Sequence, residues 1–168
     1  MGLLSALRRR ILADLDSRLA PRFHEIFDAD PVTIYDVGAA GGVFTPYRDG
    51  PVGWAPVIGF EPHPESYRQL IDAGLPEHVT LHNLALADQD GPITFYAGKE
   101  EDRTRSSLRP IDYIGSGNEK ITIEALTLDA APEHLGIPPA NFIKLDTEGT
   151  EDLVIKGGAQ MFAHEILG

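Results

Sequence analysis

The sequence predicts an α/β fold with a Rossmann-like, doubly wound and mainly parallel sheet, and three observations support it. An apolar run over residues 32–35 ends in Asp36 and a glycine-rich turn over residues 38–42. A second apolar run, residues 57–60, ends in Glu61, 25 residues after Asp36. Strand-like and helix-like segments then alternate, as in parallel sheets with crossover helices. The pattern describes a nucleoside-binding crevice, where glycines admit a ligand and a later acid holds ribose hydroxyls.

The remaining secondary structure follows from periodicity and from helix start and stop signals. Apolar or β-branched runs predict strands over residues 57–60, 79–86, 92–97, 121–126 and 141–146. Helices are predicted over residues 43–48, 64–73 and 130–135, and from residue 149 onwards. Pro64 suits a first helical turn, Gly74 is a stop signal and Asp129 is a candidate N-cap. The polar residues 98–120 form a long loop, and such loops are often functional.

The chain divides into two predicted parts, an N-terminal amphipathic helix (residues 1–30) and the α/β domain (residues 31–168). Apolar residues fall at helical spacing along the first part: Leu4, Leu7, Ile11, Leu15 and Leu19. We expect this helix to dock on the domain, and a membrane-surface role for its arginine triplet is the alternative. Only four core strands are predicted, so we expect a sheet truncated after the fourth, with a β-rich insertion. An exposed fourth strand is compatible with a homo-oligomer.

Composition excludes several functional classes. The formal net charge is -12, from 26 acidic and 14 basic residues, which disfavours nucleic acid as a partner. Because there is no cysteine, disulfides, thiolate catalysis and thiolate metal sites are excluded. No apolar run approaches the roughly 20 residues of a membrane span, and charges interrupt any signal-peptide core near the N-terminus. A cytoplasmic location is the resulting expectation.

The glycine turn is a weak signal by itself. Ala40 breaks the dinucleotide pattern G-x-G-x-x-G, so Gly38, Gly41 and Gly42 could form a tight turn without a ligand. Its context strengthens the ligand-binding interpretation: a strand precedes it, and the next strand ends in Glu61. A carboxylate there accepts two hydrogen bonds from a ribose diol, although a solvated helix-entry acid is the alternative.

A cluster of charges follows the last predicted strand. Strand periodicity places Lys144 and Asp146 on one side of the sheet, and Glu148 and Glu151 come soon after. Such a cluster could bind a metal, hold a cationic sulfonium or act as a general base. Decoration of a helix N-terminus is the competing explanation, favoured for Glu151. His63, close to Glu61, is a further candidate base, whereas the other histidines show no metal spacing.

Six motifs in order resemble the FkbM family of class I S-adenosylmethionine-dependent methyltransferases. They are residues 36–42 (DVGAAGG), 60–62 (FEP), 83–86 (NLAL), 106–108 (SSL), 127–129 (TLD) and 143–149 (IKLDTEG). The resemblance covers about residues 32–160. It implies methyl transfer from S-adenosylmethionine to a hydroxyl on a sugar, polyketide or similar small metabolite. The chain departs from the family at Ala40, often asparagine, at Thr150, commonly alanine, and in its short length.

The resemblance also implies roles for individual residues. The cofactor would be bound by Asp36, Gly38, Ala39, Gly42, Glu61, Pro62, Asn83, Ala85 and Leu86. Within this set Asp36 would organise the loop, Glu61 would hold the ribose and residues 83–86 would border the adenine. The substrate would contact Ser106, Ser107 and Glu148. Catalytic roles would fall to Asp146, Lys144 and His63.

For an alcohol nucleophile, a base that removes the proton during attack would accelerate transfer. Asp146 is the first candidate for this base and His63 the second. A divalent metal on Asp146 and Glu148 is compatible with the sequence but not required. Two other functional classes remain open: a nicotinamide-dependent oxidoreductase, and an inactive fragment or non-catalytic S-adenosylmethionine-binding module.

Overall fold

Two sheets and three short α-helices make up the described part of a computed structural model of the chain. The structure describes residues 32–43, 48, 56–99, 106–110 and 118–163. The strands are β1 (Ile34–Val37), β2 (Val57–Phe60), β3 (Val79–His82), β4 (Ala85–Ala87), β5 (Gly91–Ala97), β6 (Glu119–Thr127) and β7 (Phe142–Leu145). The helices are α1 (Pro64–Asp72), α2 (Ala131–Leu135) and α3 (Glu151–Lys156), followed by a 3₁₀ turn, Met161–Ala163.

Some predicted features lie outside the described residues. These are the N-terminal helix over residues 1–30, most of the predicted helix over residues 43–48, and much of the loop over residues 98–120. Within the described ranges, no helix is both long and apolar enough to cross a membrane. The division into two parts, the truncation of the sheet and its insertion therefore stay predictions.

The first sheet has the strand order β3-β2-β1-β7, and all its strand pairs are parallel. Every residue of β1 and β2 is buried, because a parallel sheet is covered on both faces, and Asp36 is the one charged residue in these two central strands. Asp36 of β1 pairs in register with Lys144 of β7 and with Gly59 of β2. The predicted α/β fold with a mainly parallel sheet is confirmed.

The second sheet has the order β4-β6-β5, with β4 parallel and β5 antiparallel to β6. The prediction of one strand over residues 79–86 is wrong, because the chain leaves the first sheet after β3 and enters the second as β4. Asn83 stands at this break, and its Nδ2 donates to the carbonyl oxygens of Glu61 (2.8 Å) and Pro62 (3.2 Å). The side-chain amide of Asn83 is thus bonded to the residues that follow β2, at the point where the chain passes from the first sheet to the second.

Alternating side chains of the first sheet contribute to two separate cores. Tyr35, Val37, Ile58 and Phe60 face one way and pack with residues of β4, α2 and α3. The opposite face carries Ile34, Val57, Val79 and Leu81, and contacts Tyr67 and Leu70 of α1. This two-sided burial follows from the period-2 alternation of strands. With both faces of the sheet covered, a ligand would have access at the carboxyl ends of the strands.

The predicted helices are confirmed for α1 and α2, whereas the predicted N-cap of α2, Asp129, is wrong. Pro64 occupies the first turn of α1, and Gly74, just beyond the helix, has φ 82°, a left-handed conformation that favours glycine. α2 has Ala130 at its N-cap and no side-chain cap. Asp129 instead accepts hydrogen bonds from the backbone N–H groups of Gln160 (2.9 Å) and Met161 (2.8 Å). It therefore caps the turn that follows α3.

Candidate functional site

A pocket opens at the carboxyl ends of β1, β2 and β7, where parallel α/β sheets bind ligands. The second sheet closes its other side. The pocket is lined by Val37, Gly38, Ala40, Phe60, Glu61, Pro62, Leu84, Ala85, Leu86, Phe95, Ser106, Ser107, Leu108, Asp146, Thr147, Glu148 and Thr150. Its walls are mostly apolar, and three carboxylates stand among them.

The glycine turn brings β1 close to β7. Gly38 has φ 85°, and a Cβ at this position would collide with the carbonyl oxygen of Asp146. The backbone N–H of Gly38 donates to the carbonyl of Phe60 (3.0 Å), and the N–H of Asp146 donates to that of Val37 (3.0 Å). Both the left-handed φ and the close backbone approach therefore require glycine. Gly38 also lines the pocket, and because it has no side chain its backbone is exposed there.

Glu61 is a buried carboxylate with one oxygen unused by the described protein. Its side chain is 2% exposed, and Oε1 accepts a hydrogen bond from the backbone N–H of His63 (2.8 Å). Oε2 is buried and has no hydrogen-bond partner among the described residues. Burial raises the pKa of Glu61 to about 7; the His63 N–H lowers it, nearby Asp36 raises it further, and Lys144 lowers it. A buried acceptor without a donor is costly unless a ligand supplies one.

Lys144 connects three groups at the end of the sheet. Its Nζ lies 3.0 Å from Asp36 Oδ1 and 3.4 Å from Asp146 Oδ2. The same ammonium donates to the carbonyl of Gly38 (3.2 Å). Asp36 is fully buried, so this cation compensates a charge that would otherwise be expensive. Lys144 does not line the pocket and acts on it through the groups that it holds.

The loop between β7 and α3 presents its acids to the pocket in a constrained conformation. Asp146 is 66% exposed, and Glu148 has φ 54°, which is uncommon for a residue with a side chain. Glu151 Oε1 accepts hydrogen bonds from the N–H groups of Thr147 (2.9 Å) and Gly149 (3.3 Å). Burial raises the pKa of Glu151, but these backbone donors lower it by more, so the net change is downward. Glu151 therefore organises the loop, beyond the helix decoration predicted for it.

Comparison with protein families identifies the family of the chain. The model of the methyltransferase FkbM domain matches residues 36–164, well over half of the chain. The chain belongs to the FkbM methyltransferase family. The resemblance inferred from the six motifs is thus confirmed, and the alternative of a nicotinamide-dependent oxidoreductase is not supported. Neither a curated protein nor a solved structure gives a significant match.

In this FkbM domain His63 has a structural role in capping α1. Its Nδ1 accepts hydrogen bonds from the N–H groups of Glu65 (3.2 Å) and Ser66 (3.3 Å). Because Nδ1 accepts, Nε2 carries the proton and donates to the carbonyl of Gly98 (3.1 Å). The ring is buried, outside the pocket lining, and both its nitrogens are engaged. The predicted role of His63 as a base therefore has no geometric support.

The two serines predicted to bind substrate do line the pocket, but each already has a protein partner. Ser106 Oγ accepts from the N–H of Gly98 (2.9 Å). Ser107 Oγ donates to the carbonyl of Glu148 (3.0 Å), and Ser107 is 1% exposed. The same oxygen accepts from the N–H of Arg109 (3.3 Å). Ser107 thus joins two walls of the FkbM pocket.

Of the predicted cofactor residues, Gly38, Glu61, Pro62, Ala85 and Leu86 line the pocket. The other four predicted cofactor residues do not line the pocket. Ala39 is buried in the core on the opposite face of the sheet, and Gly42 has φ 108° and lies outside the lining. Asn83 and Asp36 act through hydrogen-bonded or charged neighbours.

Sequence reasoning missed part of the pocket, especially its apolar wall. Phe95 comes from β5, and no local pattern predicts that its side chain faces the pocket. Leu84 and Leu108 could have been found, since they lie inside the third and fourth motifs. No cluster of three or more acidic or histidine residues suited to a metal occurs among the residues that the structure describes. A divalent metal stays a hypothesis.

Proposed function

We propose that this FkbM domain is an S-adenosylmethionine-dependent O-methyltransferase acting on a hydroxyl of a small molecule, such as a sugar or secondary metabolite. Glu61 Oε2 carries this proposal, because it is a buried acceptor at the carboxyl end of β2 without a partner among the described residues. Two vicinal ribose hydroxyls would supply the missing donors. The acid lies where nucleoside-binding α/β sheets hold a ribose.

The rest of the pocket suits the same cofactor. Gly38 allows the backbone to approach the methionine portion, while Leu84 and Leu86 offer an apolar border for the adenine. The carboxylates of Glu61, Asp146 and Glu148 favour a positively charged ligand by Coulombic attraction. When bound, the cofactor supplies an electrophilic methyl group on a sulfonium. The protein contributes placement and electrostatics.

Asp146 is the proposed general base. Its carboxylate lines the pocket, is two-thirds exposed and can therefore meet an incoming hydroxyl. In the proposed step the acceptor oxygen would bond to the methyl carbon as the methyl–sulfur bond of the cofactor breaks and S-adenosylhomocysteine leaves, and the acceptor's proton would pass to an oxygen of Asp146. Lys144 Nζ, 3.4 Å from Asp146 Oδ2, would help to hold this carboxylate in place. General-base assistance of this kind is worth roughly 10²–10⁴-fold in rate.

Two variants test the proposal together. Asp146→Asn should abolish methyl transfer and leave the affinity for S-adenosylhomocysteine measurable, because the amide cannot accept the proton. Glu61→Ala should weaken that affinity, because the ribose loses its acceptor. Calorimetry measures binding, and transfer of a radiolabelled methyl group to a panel of glycosides, phenols and hydroxy acids measures turnover. Wild-type protein that fails to bind S-adenosylhomocysteine would refute the cofactor assignment.

A non-catalytic S-adenosylmethionine-binding module is the second candidate. The high exposure of Asp146 favours it, since water competes with an acceptor at an open site. Binding of the cofactor without transfer to any acceptor in the panel, or in a metabolite extract, would support this candidate. For either function we propose a small-molecule partner rather than nucleic acid. A homo-oligomer and a cytoplasmic location are further proposals, which light scattering and fractionation would test.

A further inference from the structure

The loop that carries Asp146 and Glu148 is held from outside by a segment about 40 residues earlier in the chain. Ser107 Oγ donates to the carbonyl of Glu148 at 3.0 Å. Arg109 Nη1 donates to the next carbonyl, that of Gly149, at 2.9 Å. Two consecutive carbonyls of the turn are thus bound by side chains from a single segment.

The turn needs such support because of its backbone. Glu148 has φ 54°, and a non-glycine residue persists in this region only when its surroundings hold it there. Glu151 contributes from inside the loop by accepting from Thr147 and Gly149. The Glu151 bonds restrain N–H groups and Thr150 Oγ1 donates to the carbonyl of Thr147 (3.1 Å), whereas the carbonyls of Glu148 and Gly149 are bound from outside the loop. The conformation of the loop therefore depends on both.

The segment over residues 106–110 is itself anchored to the second sheet. Ser107 forms an antiparallel bridge with Tyr96 of β5, with N···O distances of 2.8 and 3.2 Å. Ser106 Oγ accepts from the N–H of Gly98. Ser106 and Leu108 line the pocket, as does Asp146. The anchored segment is one wall, and its bonds to Glu148 and Gly149 join it to the acidic loop, which is the other wall.

We infer that Arg109 and Ser107 are positioning residues that set the distance between these walls and hold the acidic loop toward the pocket. This inference rests on the proposed function in treating the pocket as a cofactor site. Neither side chain needs to touch the cofactor, because each acts through a main-chain carbonyl of the loop. Arg109 also pairs with Asp152 of α3 (Nη2–Oδ2 2.6 Å), but both side chains of that pair are largely exposed. Exposed pairs contribute little to stability, and the bond to Gly149, although also exposed, is the contact of Arg109 that acts on a carbonyl of the acidic loop.

Three variants separate the two contacts of Arg109. Arg109→Met removes both, Asp152→Ala removes only the ion pair, and Arg109→Lys keeps a cation that can reach one partner. Arg109→Met should weaken S-adenosylhomocysteine binding roughly three- to tenfold, a size typical of residues that act on a site through others. Asp152→Ala should stay within about twofold of wild type, and Arg109→Lys should fall between them.

A readout without ligand makes this inference independent of the cofactor assignment. The amides of Thr147 and Gly149 should exchange hydrogen faster in Arg109→Met and at the wild-type rate in Asp152→Ala, with similar melting temperatures for both. Equal exchange and equal affinity in these two variants would overturn the inference. If the wild type binds no S-adenosylhomocysteine, the proposed function fails, and the exchange result alone decides whether Arg109 positions the loop.

Discussion

Replacing Glu61 by glutamine should stabilise the fold above about pH 7 and weaken the proposed cofactor site, with a pH dependence that identifies the cause. The carboxyl is 2% exposed, and burial raises its pKa from 4.5 to about 7. The folded state therefore holds this proton more tightly than the unfolded state. Stability from this group falls as the pH rises from about 4.5 to about 7, and the full cost is present above that window.

The magnitude follows from the pKa of Glu61 in the folded and unfolded states. A tenfold change in proton affinity corresponds to about 1.4 kcal/mol, so ionised Glu61 costs about 3 kcal/mol at about pH 8 and about 1 kcal/mol at about pH 5.5. The glutamine amide leaves its own unpaired polar atom in the pocket, which costs about 1–2 kcal/mol at every pH. Because that cost does not change with pH, it cancels in the comparison. The advantage of Glu61→Gln over wild type should therefore grow by about 2 kcal/mol across this range.

Urea unfolding at the two pH values measures this difference, and Glu124→Gln is the matched control. Glu124 lies on β6 with an exposed side chain, so Glu124→Gln makes the same chemical change at the surface. Calorimetry with S-adenosylhomocysteine should meanwhile show weaker binding to Glu61→Gln than to wild type. A stability difference that does not change between the two pH values would refute the assignment of Glu61 as a buried carboxyl with a raised pKa.

Three further predictions concern the same end of the sheet. Affinity of the wild type for S-adenosylhomocysteine should fall about tenfold for each pH unit below about pH 7, because the ligand requires ionised Glu61; calorimetry across this range measures the slope, and a flat profile would contradict it. Gly38→Ala should prevent stable folding, because its Cβ would collide with the backbone carbonyl of Asp146. Gly74 has a similar φ but open space around it, so Gly74→Ala should cost only about 1 kcal/mol of folding free energy. Thermal unfolding compares the two variants, and equal losses of stability would show that backbone strain alone matters. Lys144→Met should cost about 3 kcal/mol of folding free energy, because the buried Asp36 carboxylate loses the cation Lys144. Adding Asp36→Asn should recover part of this loss, as measured by urea unfolding. A Lys144→Met variant as stable as the wild type would show that the pair is not coupled.

The parts of the site that follow a strand directly were predictable from sequence. Asp36, Glu61 and Asp146 each stand at the end of an apolar run, and parallel strands place such ends at one edge. Neither step requires knowledge of distant contacts. The same holds for α1, whose Pro64 and Gly74 signals are local.

Sequence reasoning did not identify the distant partners of two polar side chains. His63 resembles a catalytic base in sequence because it lies beside Glu61, yet its ring is engaged by α1 and by Gly98, 35 residues away. Ser107 resembles a substrate contact, yet its hydroxyl holds Glu148, 41 residues away. In each case the unpredicted partner was a backbone group, which a sequence pattern does not distinguish.

The amino-acid order alone therefore indicated the class of fold, the end of the sheet at which the pocket lies and the family, because these depend on periodicity and on residues adjacent in the chain. Tertiary structure decided what each polar group does there. It left Glu61 Oε2 without a described partner, engaged both nitrogens of His63 and joined Arg109 to the acidic loop. Hydrogen-bond partners are set by packing between segments far apart in sequence, and only the folded chain brings those segments together.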